Sequence, residues 1–158
     1  ADAGLVEAWM RISRRRRDWA AKAIQRALLD RKPGATIAVW GLAYKENTHS
    51  IKNSASVATI AQLNGVQIRV HDPAVAVNLI SRRNVTGFAD PLRAVQGADA
   101  LMILTPWPQY RQVAPADIAQ ALSGKIVVDP YAVLDAATAA EAGLAYYTLG
   151  RAPVVASG

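Results

Sequence analysis

The sequence predicts an α/β domain, in which helices cover both faces of a parallel sheet and a long helix precedes it. Between residues 35 and 149, short runs of apolar and β-branched residues alternate with segments of helical spacing, and the connections are short. Residues 100–104 are apolar throughout, which is typical of a strand buried on both faces. A chain of 158 residues with 52% hydrophobic content can bury one sizeable core. We therefore predict one three-layer, Rossmann-like domain.

The N-terminal segment predicts an amphipathic helix from about residue 3 to residue 30. Apolar side chains, including Leu5, Trp9 and Trp19, recur there at helical spacing. Residues 1–32 carry nine Lys or Arg against four Asp or Glu, whereas the rest of the chain is nearly neutral. Clustered arginines can neutralise phosphates, but neither a helix-turn-helix partner nor a basic aromatic surface accompanies them. We therefore expect no nucleic-acid binding.

Turn and cap residues bound the elements that follow. Residues 31–34 stop the N-terminal helix, and the hydroxyl of Ser54 can cap the helix after the first loop. The predicted strands, in chain order, are residues 36–41, 66–70, 84–89, 100–104, 126–129 and 145–149. The predicted helices begin at residue 54 and continue with 74–83, 91–97, 115–122 and 134–142, and residues 153–158 are predicted to be a tail.

The loop after the first predicted strand is the candidate binding site, because ligands of open parallel sheets bind outside the carboxyl ends of the strands. This loop carries Lys45 and Lys52, and the following helix offers free N–H groups to an anion. A dinucleotide turn needs three glycines, but residues 42–54 contain none, so we expect no standard NAD turn here. From the residues alone, two interpretations stay open: lysines that hold a phosphate, or lysines that are merely solvated.

The remaining polar candidates predict neither a catalytic group nor a metal site. Asp72 ends the second predicted strand, where an acidic residue can bind a ribose hydroxyl. Without the glycine pattern, however, a turn-forming role is favoured. His49 and His71 have no partners that suggest a catalytic triad, and the chain contains no cysteine. We therefore expect no catalytic residue and no metal in this chain.

Four segments, taken in order, resemble the C-terminal domain of one enzyme family. They are Gly41-Leu42-Ala43-Tyr44-Lys45-x-x-Thr48 with Lys52-x-Ser54, Val70-His71-Asp72-Pro73, the run from Ala98 to Trp107, and Ile126-Val127-Val128-Asp129. Their order and separations are similar to those of the UDP-glucose/GDP-mannose dehydrogenases, the nucleotide-sugar 6-dehydrogenases. The resemblance covers nearly the whole chain, and residues 1–30 resemble the latter part of the family's central helix.

This resemblance implies the nucleotide-sugar-binding portion of an NAD-dependent enzyme that oxidises the sugar C6 alcohol to a carboxylate. It places Tyr44 and Lys45 against the UDP moiety, and Lys52 where relatives carry an arginine that reaches the NAD bound by the other domain. Similar enzymes react through a cysteine of their N-terminal half, and this chain has no cysteine. The isolated chain is therefore expected to be inactive. The alternative is a free-standing, non-catalytic nucleotide-binding or oligomerisation module.

The chain departs from the family pattern at three places. His49-Ser50 stands where relatives have an acidic pair. Lys52 replaces an arginine and so loses the bidentate grip on a pyrophosphate. Where many relatives have Asp-Gly-Arg, this chain has Asp129-Pro130-Tyr131-Ala132, so one basic contact near the sugar nucleotide is missing. The expected substrate is therefore a UDP-sugar that can differ from UDP-glucose.

The predicted organisation is a dimerisation helix in residues 1–32, a UDP-binding domain in residues 33–152, and the tail. As in the family's central helix, Trp9 and Trp19 are candidates for burial in a homodimer interface. No apolar segment is long and uninterrupted enough to span a bilayer, and no signal peptide is recognisable. We therefore expect a cytoplasmic protein without membrane contact. A start inside a helix, without an initiator methionine, favours a fragment of a longer protein.

Overall fold

Six parallel strands form the centre of the computed structural model, in the order β3-β2-β1-β4-β5-β6. The structure describes residues 2–43, 51, 54–77 and 82–154. The strands are β1 (Thr36–Trp40), β2 (Gln67–His71), β3 (Val85–Gly87), β4 (Ala100–Ile103), β5 (Ile126–Val128) and β6 (Ala145–Tyr147). The helices are α1 (Asp2–Ile24), α2 (Ala55–Gln62), α3 (Pro91–Val95), α4 (Pro115–Ala121) and α5 (Ala136–Glu141). A π-helical turn, Gln25–Leu29, follows α1, and a 3₁₀ turn, Pro108–Gln112, lies between β4 and α4.

Helices cover both faces of the sheet because the chain crosses over one face after β1 and over the other face after β4. Right-handed crossovers from β1 to β2 and from β4 to β5 place α2 on one face and α4 on the other. Helix α1 packs beside α2, whereas α4 packs against both α3 and α5. The predicted Rossmann-like sheet with helices on both faces and a long N-terminal helix is confirmed.

The central strands β1 and β4 supply the buried middle of the core. All four residues of β4 are buried, and so are the last four of β1, as expected for strands between two helical layers. Trp40, at the end of β1, stacks on Tyr110 with the ring centroids 4.8 Å apart. Its indole N–H donates to the carbonyl of Pro91 at 2.9 Å. The predicted central position of residues 100–104 is therefore confirmed.

Helix α1 joins this core through its C-terminal half. Ala20 and Ile24 are fully buried, whereas Leu5 and Trp9 in the first half are 73% and 41% exposed. The apolar face of α1 is thus covered at one end and open at the other. In the described part of the chain, no helix is apolar over enough length to cross a membrane.

Two local features differ from the predictions at the residues that the structure describes. In the helix predicted over residues 74–83, the described positions 74–77 and 82–83 contain no α-helix. The carboxylate of Asp72 accepts backbone N–H groups there, including that of Val75, and forms a turn. In the predicted tail, Val154 pairs with Tyr146 in an antiparallel bridge, so at least this residue is held against the sheet.

Candidate functional site

The three predicted binding residues, Tyr44, Lys45 and Lys52, lie outside the described residues. The structure does describe the backbone on both sides of their loop, which follows Ala43 and ends at Ser54. The candidate site is therefore built here from the frame that holds these two ends.

The loop starts at the switch point of the sheet. Strands β1 and β4 are neighbours, and the chain leaves them toward opposite faces, which opens a crevice at their carboxyl ends. Residues 41–43 follow β1 at this edge, and residues 104–107 follow β4. The loop returns to helix α2, where Ser54 Oγ accepts the N–H of Val57 at 3.2 Å. The predicted Ser54 cap is confirmed.

The last two described residues before the loop have all four of their backbone polar groups bonded to side chains. The N–H groups of Leu42 and Ala43 donate to Asp72 Oδ2 at 2.7 and 2.9 Å. The carbonyl of Leu42 accepts from Ser54 Oγ, and that of Ala43 accepts from Thr105 Oγ1, both at 2.8 Å. The backbone of Leu42 and Ala43 is therefore held by the residues that follow β2 and β4 and by the cap of α2 together.

Asp72 connects three loops at this edge of the sheet. Its Oδ1 accepts the N–H groups of Ala74 and Val75, both at 2.8 Å, which confirms the predicted turn-forming role. Its Oδ2, besides its two bonds to the segment after β1, accepts the indole N–H of Trp107 at 3.1 Å. These bonds were not predicted, because no local pattern shows which distant N–H groups face a carboxylate.

A neutral aromatic layer lies beneath the crevice. His71 Nδ1 is 3.0 Å from the oxygen of the Tyr110 hydroxyl, and this hydroxyl donates to the His71 carbonyl at 3.1 Å. Burial lowers the pKa of His71, although the nearby charges of Asp72 and Asp90 act to raise it. Burial, with the charge of Asp72, raises the pKa of Tyr110. Both groups are uncharged at neutral pH, and among the described residues no cluster of three or more His, Asp or Glu could hold a metal ion.

Asp129, at the end of β5, is occupied by its own surroundings. Its carboxylate accepts the N–H groups of Val133 and Leu134, at 3.1 and 2.9 Å, and the hydroxyl of Tyr146, at 2.6 Å. Burial raises the pKa of Asp129, and these hydrogen bonds oppose that rise. We conclude that this carboxylate orders the loop after β5.

Helix α1 brings a positive charge to the same loop. The guanidinium carbon of Arg16 lies 4.7 Å from the ring centroid of Tyr131, within the range of a cation–π contact. Arg14 and Arg15 are exposed, whereas Arg16 and Arg17 are half-buried. The arginine run, which the sequence presents as one basic cluster, is therefore divided by the fold into solvated and packed members.

Comparison with known proteins identifies the family. The sequence profile of the UDP-glucose/GDP-mannose dehydrogenase family, UDP binding domain, matches residues 38–136. The chain is 33% identical over 127 residues to UDP-glucose 6-dehydrogenase of Pseudomonas aeruginosa, which covers 75% of this chain and 28% of that protein. It is 34% identical over 134 residues to UDP-N-acetyl-D-mannosamine dehydrogenase of Pyrococcus horikoshii, which covers 81% of this chain and 30% of that protein.

Solved structures agree with the sequence comparison. A UDP-glucose dehydrogenase from Pyrobaculum islandicum superposes with a TM-score of 0.72 at 28% identity, over 92% of this chain and 32% of that chain. The UDP-D-ManNAc dehydrogenase from Pyrococcus horikoshii gives a TM-score of 0.65 at 29% identity, over 85% of this chain and 31% of that chain. The chain thus spans less than a third of the length of these relatives. It belongs to the UDP-glucose/GDP-mannose dehydrogenase family, and its residues 38–136 match that family's UDP-binding domain.

Proposed function

We propose that this chain is the UDP-sugar-binding portion of an NAD-dependent dehydrogenase that oxidises the C6 alcohol of the sugar to a carboxylate. The observation that carries the proposal is the match of the UDP-binding domain to residues 38–136, which contain the whole crevice between β1 and β4. The two curated relatives described above are named as dehydrogenases of UDP-glucose and of UDP-N-acetyl-D-mannosamine. The substrate is accordingly a UDP-sugar.

Tyr44 and Lys45 are the proposed contacts to the UDP moiety. In the sequence they follow directly after Ala43, whose N–H and carbonyl are both held by side chains. A lysine there can meet a diphosphate as a point charge, while the tyrosine offers a ring face and a hydroxyl to the base or the ribose. Lys52, near the end of the loop, is the proposed contact to NAD.

The described crevice does not fit the pyrophosphate of NAD. In a dinucleotide turn, glycines let backbone N–H groups approach the phosphates. Here the N–H groups of Leu42 and Ala43 already donate to Asp72, and residues 42–54 contain no glycine. We assign NAD mainly to a part of the protein outside this chain. Because the chain also contains no cysteine, we expect it to show no dehydrogenase activity alone.

A homodimer through the N-terminal helix is the second part of the proposal. The first half of α1 exposes five large apolar side chains: Leu5, Val6, Trp9, Met10 and Ile12. A second copy of the same helix is a simple cover for such a face in a symmetric pair. The same observation favours the alternative function, a free-standing oligomerisation module. A cytoplasmic location stays a prediction.

The proposal is tested by titrating UDP, UDP-glucose and ATP by calorimetry against the parent chain and Lys45→Ala. Charge-assisted contacts stabilise by about 1.5 to 3 kcal/mol each, so the variant is expected to bind UDP roughly tenfold to a hundredfold more weakly. Lys125→Ala is the control, because it removes the same charge, together with a hydrogen bond to the carbonyl of Ala119, at the amino end of β5 and so at the opposite end of the strands. Equal binding of all three nucleotides, or no effect of Lys45→Ala, would contradict the proposed function.

A further inference from the structure

In the frame around the loop, a side chain of the protein occupies backbone N–H groups that a ligand could otherwise use. At the carboxyl end of a central parallel strand, free backbone N–H groups are the ordinary partners of a ligand phosphate. In this chain two such groups, on Leu42 and Ala43, are bonded to a carboxylate of the protein itself, that of Asp72 directly after β2. The negative charge of Asp72 thus occupies the place where a phosphate would otherwise find its donors.

We infer that Asp72 is a positioning residue for the proposed nucleotide site, because it holds the two peptide units after which the loop with Tyr44 and Lys45 begins. The inference rests on the proposed function for the identity of the ligand. Because the N–H groups of Leu42 and Ala43 already donate to Asp72, they are not free to bind a phosphate, and that contact is assigned to Lys45 as in the proposed function.

The arrangement around Asp72 makes it the principal member of this frame. It is the single charged group among the three side chains that hold Leu42 and Ala43, and hydrogen bonds to a charged acceptor are the stronger kind. Leu42 and Ala43 are 1% and 2% exposed, so water does not readily replace a lost acceptor. Removal of the carboxylate is therefore expected to shift the peptide units of Leu42 and Ala43, and not only to weaken their hydrogen bonds.

The substitution Asp72→Asn provides the test, because it keeps the shape and removes one acceptor. The carboxylate uses both oxygens, one for the N–H groups after β1 and for Trp107, the other for the turn after β2. An amide has one oxygen, and its NH₂ group would face donors on the other side. Asp90→Asn is the matched control: it removes the same charge near the same edge, and asparagine still caps α3 there.

Two measurements are made on each variant, at a temperature well below the midpoint of its thermal unfolding. We expect Asp72→Asn to bind UDP about tenfold more weakly than the parent by calorimetry. We also expect the amides of residues 42 and 43 to exchange hydrogen about tenfold faster by NMR, while the amides of β4 exchange as in the parent. Asp90→Asn should match the parent in both. A purely structural role would speed exchange throughout the core and leave the affinity of the folded molecules unchanged.

Several outcomes would overturn the inference. Unchanged UDP affinity in folded Asp72→Asn would do so, and so would unchanged exchange at residues 42 and 43. If the parent does not bind UDP, the proposed function fails, but the exchange measurement still decides whether Asp72 holds this segment. If Asp72→Asn does not fold, Trp107→Phe takes its place, because it removes the indole donor to Oδ2 and keeps an aromatic ring at this buried position. It should weaken UDP binding severalfold, and parent-like affinity and exchange in it would equally count against Asp72.

Discussion

Gly41 and Thr105 approach each other so closely that a β-carbon on Gly41 would lie 2.6 Å from the backbone nitrogen of Thr105. Gly41 also has φ +100°, a backbone conformation that residues with a side chain rarely adopt. This contact brings the ends of β1 and β4 together and lets Thr105 reach the carbonyl of Ala43. The close approach of two backbones at the switch point thus depends on the absence of one side chain.

Gly41→Ala is therefore expected to lower the free energy of unfolding by about 2 to 4 kcal/mol, from backbone strain and from the clash with Thr105 together. Urea unfolding followed by circular dichroism measures this change. Gly34→Ala is the matched control, because an added β-carbon there meets no atom within 4 Å. A loss at Gly41 no larger than that at Gly34 would show that the ends of β1 and β4 can separate without cost.

His71 is expected to make stability depend on pH in one direction. Its ordinary pKa is 6.5, and burial lowers that value in the folded protein. The unfolded chain therefore takes up the proton first, so the contribution of His71 is fully present above pH 6.5 and is lost as the pH falls below it. The free energy of unfolding, measured in urea from pH 7.5 to pH 5.5, should decrease over this range.

The two histidines of the chain provide the control for this measurement. His71→Gln keeps a polar partner for the Tyr110 hydroxyl but does not titrate, so most of the decrease should disappear. In His49→Gln the decrease should persist. The reverse result would assign the pH dependence to His49 and contradict the buried, neutral state of His71.

The exposed face at the start of α1 is expected to mediate self-association. Deleting residues 1–30 would be an unsuitable test, because Ala20 and Ile24 belong to the core. We predict instead that the parent is a dimer by sedimentation and that a double variant, Leu5→Glu with Trp9→Glu, is a monomer. Arg15→Glu, at another exposed position of the helix, should stay dimeric. A parent that is monomeric at high concentration would show that the interface prediction is wrong.

The sequence by itself determined the architecture, because buried strands and the ends of helices have recognisable local residue patterns. A strand covered on both faces must be apolar throughout, and this identified residues 100–104 as central. The hydroxyl of Ser54 directly before a helical segment predicted the cap that the structure contains. The four family-like segments also predicted the UDP-binding domain, which the comparisons confirm for residues 38–136. The roles of Tyr44, Lys45 and Lys52 stay predictions.

Only the tertiary structure decided how the site is framed. Asp72 was correctly predicted to form a turn. Its bonds to Leu42 and Ala43, however, join residues that are 30 and 29 positions apart. A local sequence pattern does not predict contacts at such separations. In the helix predicted over residues 74–83, the described positions contain no α-helix, and Asp72 forms a turn there with Ala74 and Val75. Local patterns encode which residues are buried and where the chain turns. Which donor meets which acceptor across loops depends on the register and crossovers of the whole sheet, so it becomes visible only in three dimensions.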